Sequence, residues 1–212
     1  MRRATGALLI AAAFTPVWTR GACATVLAQA PVVNAAVERR PSPQSLAREV
    51  QAIAARGTAA WIGYRVPLAA RRSATLTALD MCCGRCRLEP PTELLVLARV
   101  EAGRIVQLRS IPIDCDIDAA GMPLVWFESV NPDESVRWLE SLVTEVNATR
   151  DARASSAALL ALSRHAAPQA VARLIAIART HPDSDIRKRA FQHLGDSNDP
   201  RAIAFFSDIL LK

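Results

Sequence analysis

Residues 152–180, ARASSAALLALSRHAAPQAVARLIAIART, and residues 184–211, SDIRKRAFQHLGDSNDPRAIAFFSDILL, carry one pattern twice. Ala158, Leu159, Leu162, Pro168, Ala170, Val171, Leu174 and Ile177 fall on Ala190, Phe191, Leu194, Pro200, Ala202, Ile203, Phe206 and Ile209, thirty-two positions on. Apolar residues recur at helical spacing on both sides of a short polar break, so each copy reads as two helices in a hairpin. A repeat of this size marks stacked helix pairs, because one pair cannot bury its apolar face alone.

The stack begins before the first full copy. Asn131 suits an N-cap, Pro132 the first turn, and Asp133 and Glu134 the positive end of the helix dipole. Val136, Leu139, Leu142 and Val143 form an apolar stripe beside Trp138. Ser135-Val136, Leu139 and Leu142 also match Ala170-Val171, Leu174 and Ile177, so this helix reads as a half-repeat capping the stack. The following helices are expected over 151–164, 168–180, 184–194 and 200–211.

These residues resemble HEAT repeats. His181-Pro182-Asp183-Ser184-Asp185-Ile186-Arg187-Lys188-Arg189-Ala190-Phe191-Gln192-His193-Leu194-Gly195 is similar to the first-helix signature, and Asp199-Pro200-Arg201-Ala202-Ile203 to the opening of the second. The earlier copy departs from it, with Ala154-Ser155 where Ile-Arg would stand. The likeness covers about residues 131–212. It implies an α-solenoid, a fold whose stacks bind other proteins, and is nearly silent on function beyond that; a non-enzymatic interaction module is the expected reading.

Upstream the period changes. Residues 31–58 read as a linker over the Pro-bearing, aperiodic residues 31–43, followed by an amphipathic helix from Ser45 to Arg56. In that helix Leu46, Val50, Ile53 and Ala54 share a face, and Gly57 ends it. Trp61-Ile62-Gly63-Tyr64-Arg65-Val66 reads as a strand closed by Pro67. Glu93 to Glu101 and Arg104 to Ile113 are β-rich runs joined by Ala102-Gly103, a hairpin signal. Leu124 to Phe127 is a further strand. Residues 59–128 are therefore expected to form a small antiparallel β domain. Trp61-Ile62-Gly63-Tyr64, Met81-Cys82-Cys83 and Asp114-Cys115-Asp116-Ile117-Asp118-Ala119-Ala120-Gly121 look similar to exported bacterial proteins with C-terminal HEAT repeats. That resemblance implies a layout and assigns no activity.

Residues 1–30 read as a secretory signal peptide: Arg2 and Arg3, then the apolar run Ala7 to Phe14, then Ala28-Gln29-Ala30 as a small-x-small cleavage site. An earlier cut after Ala24 is the alternative, and Arg20 stands where a lipoprotein signal carries an apolar residue. The apolar run is shorter than the roughly 20 residues that span a bilayer, so no transmembrane anchor is expected and the protein is placed in the periplasm or secreted. Cleavage removes three arginines and no acid, lowering the formal charge from the +6 of the whole chain to +3. Of its 26 basic residues only Lys188 and Lys212 are lysines, and neither a clustered basic face nor a reading module points to nucleic acid.

Past residue 30 four cysteines remain: Cys82, Cys83, Cys86 and Cys115. An even number in an exported chain reads as disulfides. Adjacent Cys82 and Cys83 make the least comfortable pair, which leaves Cys82–Cys115 with Cys83–Cys86, or Cys83–Cys115 with Cys82–Cys86. The alternative is a thiol–disulfide redox or metal-handling site at Cys82–Cys86. Against redox exchange, Pro90 and Pro91 shortly after Cys86 oppose the long helix that depresses a nucleophilic thiol's pKa. Against zinc, Cys115 stands alone rather than in a second paired knuckle. Asp114, Asp116 and Asp118 alternate as in a calcium loop, but positions six and twelve hold Ala119 and Val125 rather than Gly and Glu. An acidic turn accounts for them.

His165 and His181, at helix ends, read as caps or solvent-facing residues. His193 has no i, i+4 histidine partner. Hydrolase, zincin, phosphate-loop and dinucleotide motifs are missing from the sequence, while Asn147-Ala148-Thr149 fits the glycosylation acceptor pattern. Trp61, Trp126 and Trp138 read as core. The expected molecule is α+β, a disulfide-bonded antiparallel β unit followed by a short α-solenoid. It is expected to bind an unidentified protein without a cofactor or metal, with homo-oligomerisation open. Its polar rim would draw on Asp133, Glu134, Arg137, Arg164, Arg173, Arg187 and Arg189.

Overall fold

A computed structural model describes residues 32–69, 91–113, 117–145, 152–197 and 199–211. The chain runs β1 (Val32–Val33), β2 (Val37–Arg40), α1 (Leu46–Ala54), β3 (Ala60–Pro67), β4 (Glu93–Glu101), β5 (Arg104–Pro112), β6 (Ile117–Asp118) and β7 (Leu124–Phe127). Five helices follow: α2 (Pro132–Thr144), α3 (Ala152–Arg164), α4 (Pro168–Thr180), α5 (Ser184–Gly195) and α6 (Pro200–Leu210).

The sheet has the order β2-β7-β3-β4-β5, and β1 pairs with β6 in a separate two-stranded ribbon. β3, β4 and β5 are antiparallel neighbours. The β4–β5 turn places Ala102 at φ 48° and Gly103 at φ 78°, the left-handed pair of a hairpin turn that matches strand twist. The wholly antiparallel unit expected from the sequence is corrected to a mixed sheet, because β7 runs parallel to β3 and β2 runs parallel to β7. Alternation assigns residues to faces and is blind to strand direction, which the crossover from β5 to β7 decides.

The linker expected over residues 31–43 is corrected in part as well. Val37 to Arg40 pair with Leu124 to Phe127, and Val32 and Val33 pair with Ile117 and Asp118. As an edge strand, β2 exposes Val37, Glu38 and Arg39, so its sequence lacks the apolar alternation of a half-buried strand. α1 forms where its stripe places it. Ser45 accepts the Arg48 N–H at its N-terminus, Leu46, Val50, Ile53 and Ala54 are buried, and Gly57 turns the chain away at φ 76°.

Both sheet faces are covered. Ile62, Tyr64 and Val66 from β3, Leu94, Val96, Ala98 and Val100 from β4, Leu108 from β5, and Val125 and Phe127 from β7 join α1 and the helical stack in one apolar cluster. Trp61, Leu95, Leu97, Ala119, Leu124 and Trp126 form a second cluster on the opposite face. The interior strand β4 is buried on both sides, which explains its nearly continuous apolar run. Gly63 lies where a side chain has no room: an added Cβ would sit 2.9 Å from both Leu97 Cδ2 and Trp126 Cε3.

Candidate functional site

The helical stack is assembled from short, locally encoded parts. α3, α4, α5 and α6 begin at residues 152, 168, 184 and 200, a constant step of sixteen. Prolines open α4 and α6, where the missing N–H is one of the helix's unbonded donors anyway. Asp183 Oδ1 accepts the N–H groups of Asp185 and Ile186 at 2.8 and 3.3 Å, and Asp199 Oδ1 accepts that of Arg201 at 2.9 Å. Asn131 Oδ1 accepts the Asp133 N–H at 2.8 Å in the same way.

The connectors obey the same step. His165 Nδ1 accepts the Ala167 N–H at 3.0 Å, His181 Nδ1 the Asp183 N–H at 3.1 Å, and Ser197 Oγ the Asp199 N–H at 3.1 Å. Each thus steers the residue that precedes the next helix. His181 also hydrogen bonds through Nε2 to the Val143 carbonyl at 3.0 Å. With Nδ1 accepting, Nε2 carries the proton and donates to that carbonyl. His165 and His181 are 2% and 4% exposed. The expectation of helix-end positions holds, and the solvent-facing alternative is corrected: each imidazole fills the gap between successive helices. Burial pushes the His165 pKa down to about 4, with the Asp133 charge opposing the shift.

The stack is joined to the sheet by polar as well as apolar contacts. Leu68, just past β3, bridges to His165, with Ala69 N–H donating to the Arg164 carbonyl at 2.8 Å and Ala166 N–H to the Pro67 carbonyl at 3.0 Å. Arg164 Nη1 donates to the Ser110 carbonyl of β5 at 3.2 Å. The Glu134 carboxylate accepts the Leu46 N–H at 3.4 Å, so α2 closes the N-terminus of α1.

The arginines expected at a polar rim have different surroundings. Arg137 binds Glu134 one turn away, and that hydrogen bond holds the Glu134 carboxyl below its ordinary pKa. Arg173 pairs with Glu140 at 3.4 Å across α2 and α4. Arg187 donates to the carbonyls of His181 and Pro182 at 2.6 and 2.9 Å, closing the C-terminal end of α4. Arg164 is half-buried at the seam. Arg189 is exposed on α5 and, among the described residues, forms no ion pair. Lys188 is exposed beside it. Asp133 is bonded by Gln169, which ties α2 to α4. Ile203, Ile209, Leu210 and Leu211 are exposed at or just past α6.

Asp118 Oδ1 accepts the Ala120 N–H at 2.8 Å and an Asn34 Nδ2–H at 3.1 Å, the geometry of an acidic turn. Trp61, Trp126 and Trp138 are at most 6% exposed. Cys82, Cys83, Cys86 and Cys115, together with Asp114, Asp116 and Asn147, lie outside the described residues. An open cleft of about 560 Å³ beside α1 contains Arg40. Its guanidinium is shared by Glu38 at 2.8 Å and Glu49 at 3.3 Å, and Arg48 also lines the cleft. No helix among the described residues is long and apolar enough to cross a membrane.

An array of helices stepped by sixteen residues, with capped connectors and successive apolar faces packed on one another, defines a helical-repeat protein. In agreement, residues 131–212 match the family model of HEAT repeats, so this part of the chain is a HEAT-repeat domain. No curated protein and no solved structure matches the chain.

Proposed function

We infer that this is an exported scaffold that binds another protein through its HEAT-repeat domain and performs no chemistry of its own. The observation that carries this reading is the HEAT match over residues 131–212, since stacked helical repeats present extended surfaces for protein partners. The arrangement of the stack supports it. The sheet covers one side through Tyr64, Leu108 and Val96, and α5 keeps Lys188 and Arg189 exposed. Export rests on the signal-like residues 1–30. A disulfide role for Cys82, Cys83, Cys86 and Cys115 rests on their even number and on that compartment.

The experiment places a photo-cross-linking residue at position 189 and, as a control, at position 106 on β5, in the full-length protein in its own cells. One adduct of defined mass from position 189, absent from position 106 and retained in a Cys83→Ser variant, is the expected result. If position 189 yields no adduct while Cys83→Ser abolishes a thiol-dependent activity, the scaffold reading is wrong and the working part is the cysteine segment.

A further inference from the structure

The His165 ring is 2% exposed and stands where the sheet meets the stack. Its own backbone bridges to Leu68, the flanking amides bond Pro67 and Ala69, and its Nδ1 accepts the Ala167 N–H at 3.0 Å. That acceptor role requires a neutral ring with the proton on Nε2, and Nε2 has no partner among the described residues. We propose that His165 is a proton-operated latch, which in its neutral form holds the HEAT-repeat domain against the sheet and on protonation releases the seam formed by residues 67–69 and 164–167.

The chemistry is a reversal of polarity at one atom. A proton added to Nδ1 faces the Ala167 N–H, so an acceptor becomes a donor and the bond that sets the entry to α4 is lost. The resulting cation would be buried, where an unpaired charge is costly. Asp133, at the start of α2, is the carboxylate whose charge favours the cation, and its Oδ1 is already bonded by Gln169 from α4. On α3 the neighbouring Arg164 turns its guanidinium to the Ser110 carbonyl of β5. Pro67 and Leu68, after β3, carry no ionisable group. One carboxylate therefore opposes the burial of the ring, and burial dominates.

The sign follows from the neutral form being the folded one. The folded-state pKa, about 4, lies below the value near 6.5 of an exposed imidazole. The latch is fully closed above about pH 6.5 and weakens as pH falls toward 4. Between pH 7 and pH 4.5 the equilibrium for opening the seam should rise about 60-fold from this group alone.

Hydrogen exchange at the Ala69, Ala166 and Ala167 amides of the full chain tests this, at pH 7 and pH 4.5 after correction for intrinsic rates. The wild type should lose about 60-fold in protection at these amides, whereas His165→Asn, whose side-chain oxygen can accept the same N–H without titrating, should not. Unchanged protection in the wild type, or an equal loss in His165→Asn, overturns the proposal. A second readout needs no variant: the His165 ring proton followed by NMR should titrate near pH 4, and a midpoint near 6.5 would also overturn it.

Discussion

The phenol oxygen of Tyr64 lies 3.0 Å from the hydroxyl of Ser135, with both side chains buried. Tyr64 belongs to the middle of β3 and Ser135 to the first turn of α2, so the bond crosses the boundary between sheet and HEAT-repeat domain. The Tyr64 ring also meets Trp138 edge-on, with centroids 6.0 Å apart. Burial raises the phenol pKa well above its ordinary value, which keeps the group a neutral hydroxyl at any physiological pH.

Removing one partner leaves the other buried and unbonded. Tyr64→Phe and Ser135→Ala are each expected to cost about 1–3 kcal/mol. The double variant should cost less than the sum of the two, because neither orphan then remains. Urea unfolding of the four proteins measures the cycle. Additive losses would show that the hydroxyls are not coupled.

At Gly63 the expected effect is steric. A methyl group placed 2.9 Å from Leu97 Cδ2 and Trp126 Cε3 must push one of them aside, so Gly63→Ala should lose about 1–3 kcal/mol. Trp126 would move with it, and the near-ultraviolet circular dichroism of the native protein should change. A fully stable variant with an unaltered spectrum would mean that β7 has more freedom than its packing implies.

The helical repeats were readable from sequence because their information is local. Proline at helix starts, Asp183 and Asp199 as caps, and apolar stripes recurring after thirty-two residues all lie within a few positions of what they specify. β3, β4, β5 and β7 were readable for the same reason, and the Ala102-Gly103 turn sits where the strands are joined. Strand direction was not readable. Nothing in Leu124 to Phe127 distinguishes a strand parallel to β3 from an antiparallel one, and the charged Val37 to Arg40 looks like loop because one edge and much of both faces meet water. The partnership of Tyr64 with Ser135 spans 71 residues, and no short-range pattern encodes it. The burial of His165 and His181 also escaped a local reading, since a histidine at a helix end has the same neighbours in sequence whether or not a helix packs over it.

The caps allow a sharper test of local encoding. Asp183→Ala removes the acceptor of two backbone N–H groups at the start of α5 and should cost about 0.5–2 kcal/mol. Asp183→Asn, which keeps the acceptor oxygen, should lose much less. Thermal unfolding of both variants makes the comparison. Equal losses would assign the effect of Asp183 to its charge at the helix N-terminus rather than to its hydrogen bonds.

The five arginines expected at a partner surface should separate into structural and available groups. Arg187→Ala strips two carbonyls of their donor at the end of α4, and a loss of about 1–2 kcal/mol is expected. Arg173→Ala breaks a half-exposed pair with Glu140, for which the expected cost is below about 1 kcal/mol. Arg189→Glu touches no ion pair among the described residues, so its unfolding midpoint should stay within about 0.5 kcal/mol of the wild type. Its effect should appear instead in the yield of the cross-linked adduct, measured from a neighbouring photo-cross-linker at position 192 on α5. A stable Arg189→Glu protein with reduced adduct places the partner over α5. Unchanged adduct would move the partner to another face of the stack, and a loss of stability at Arg189 equal to that at Arg187 would mean that α5 depends on its outer charges to fold.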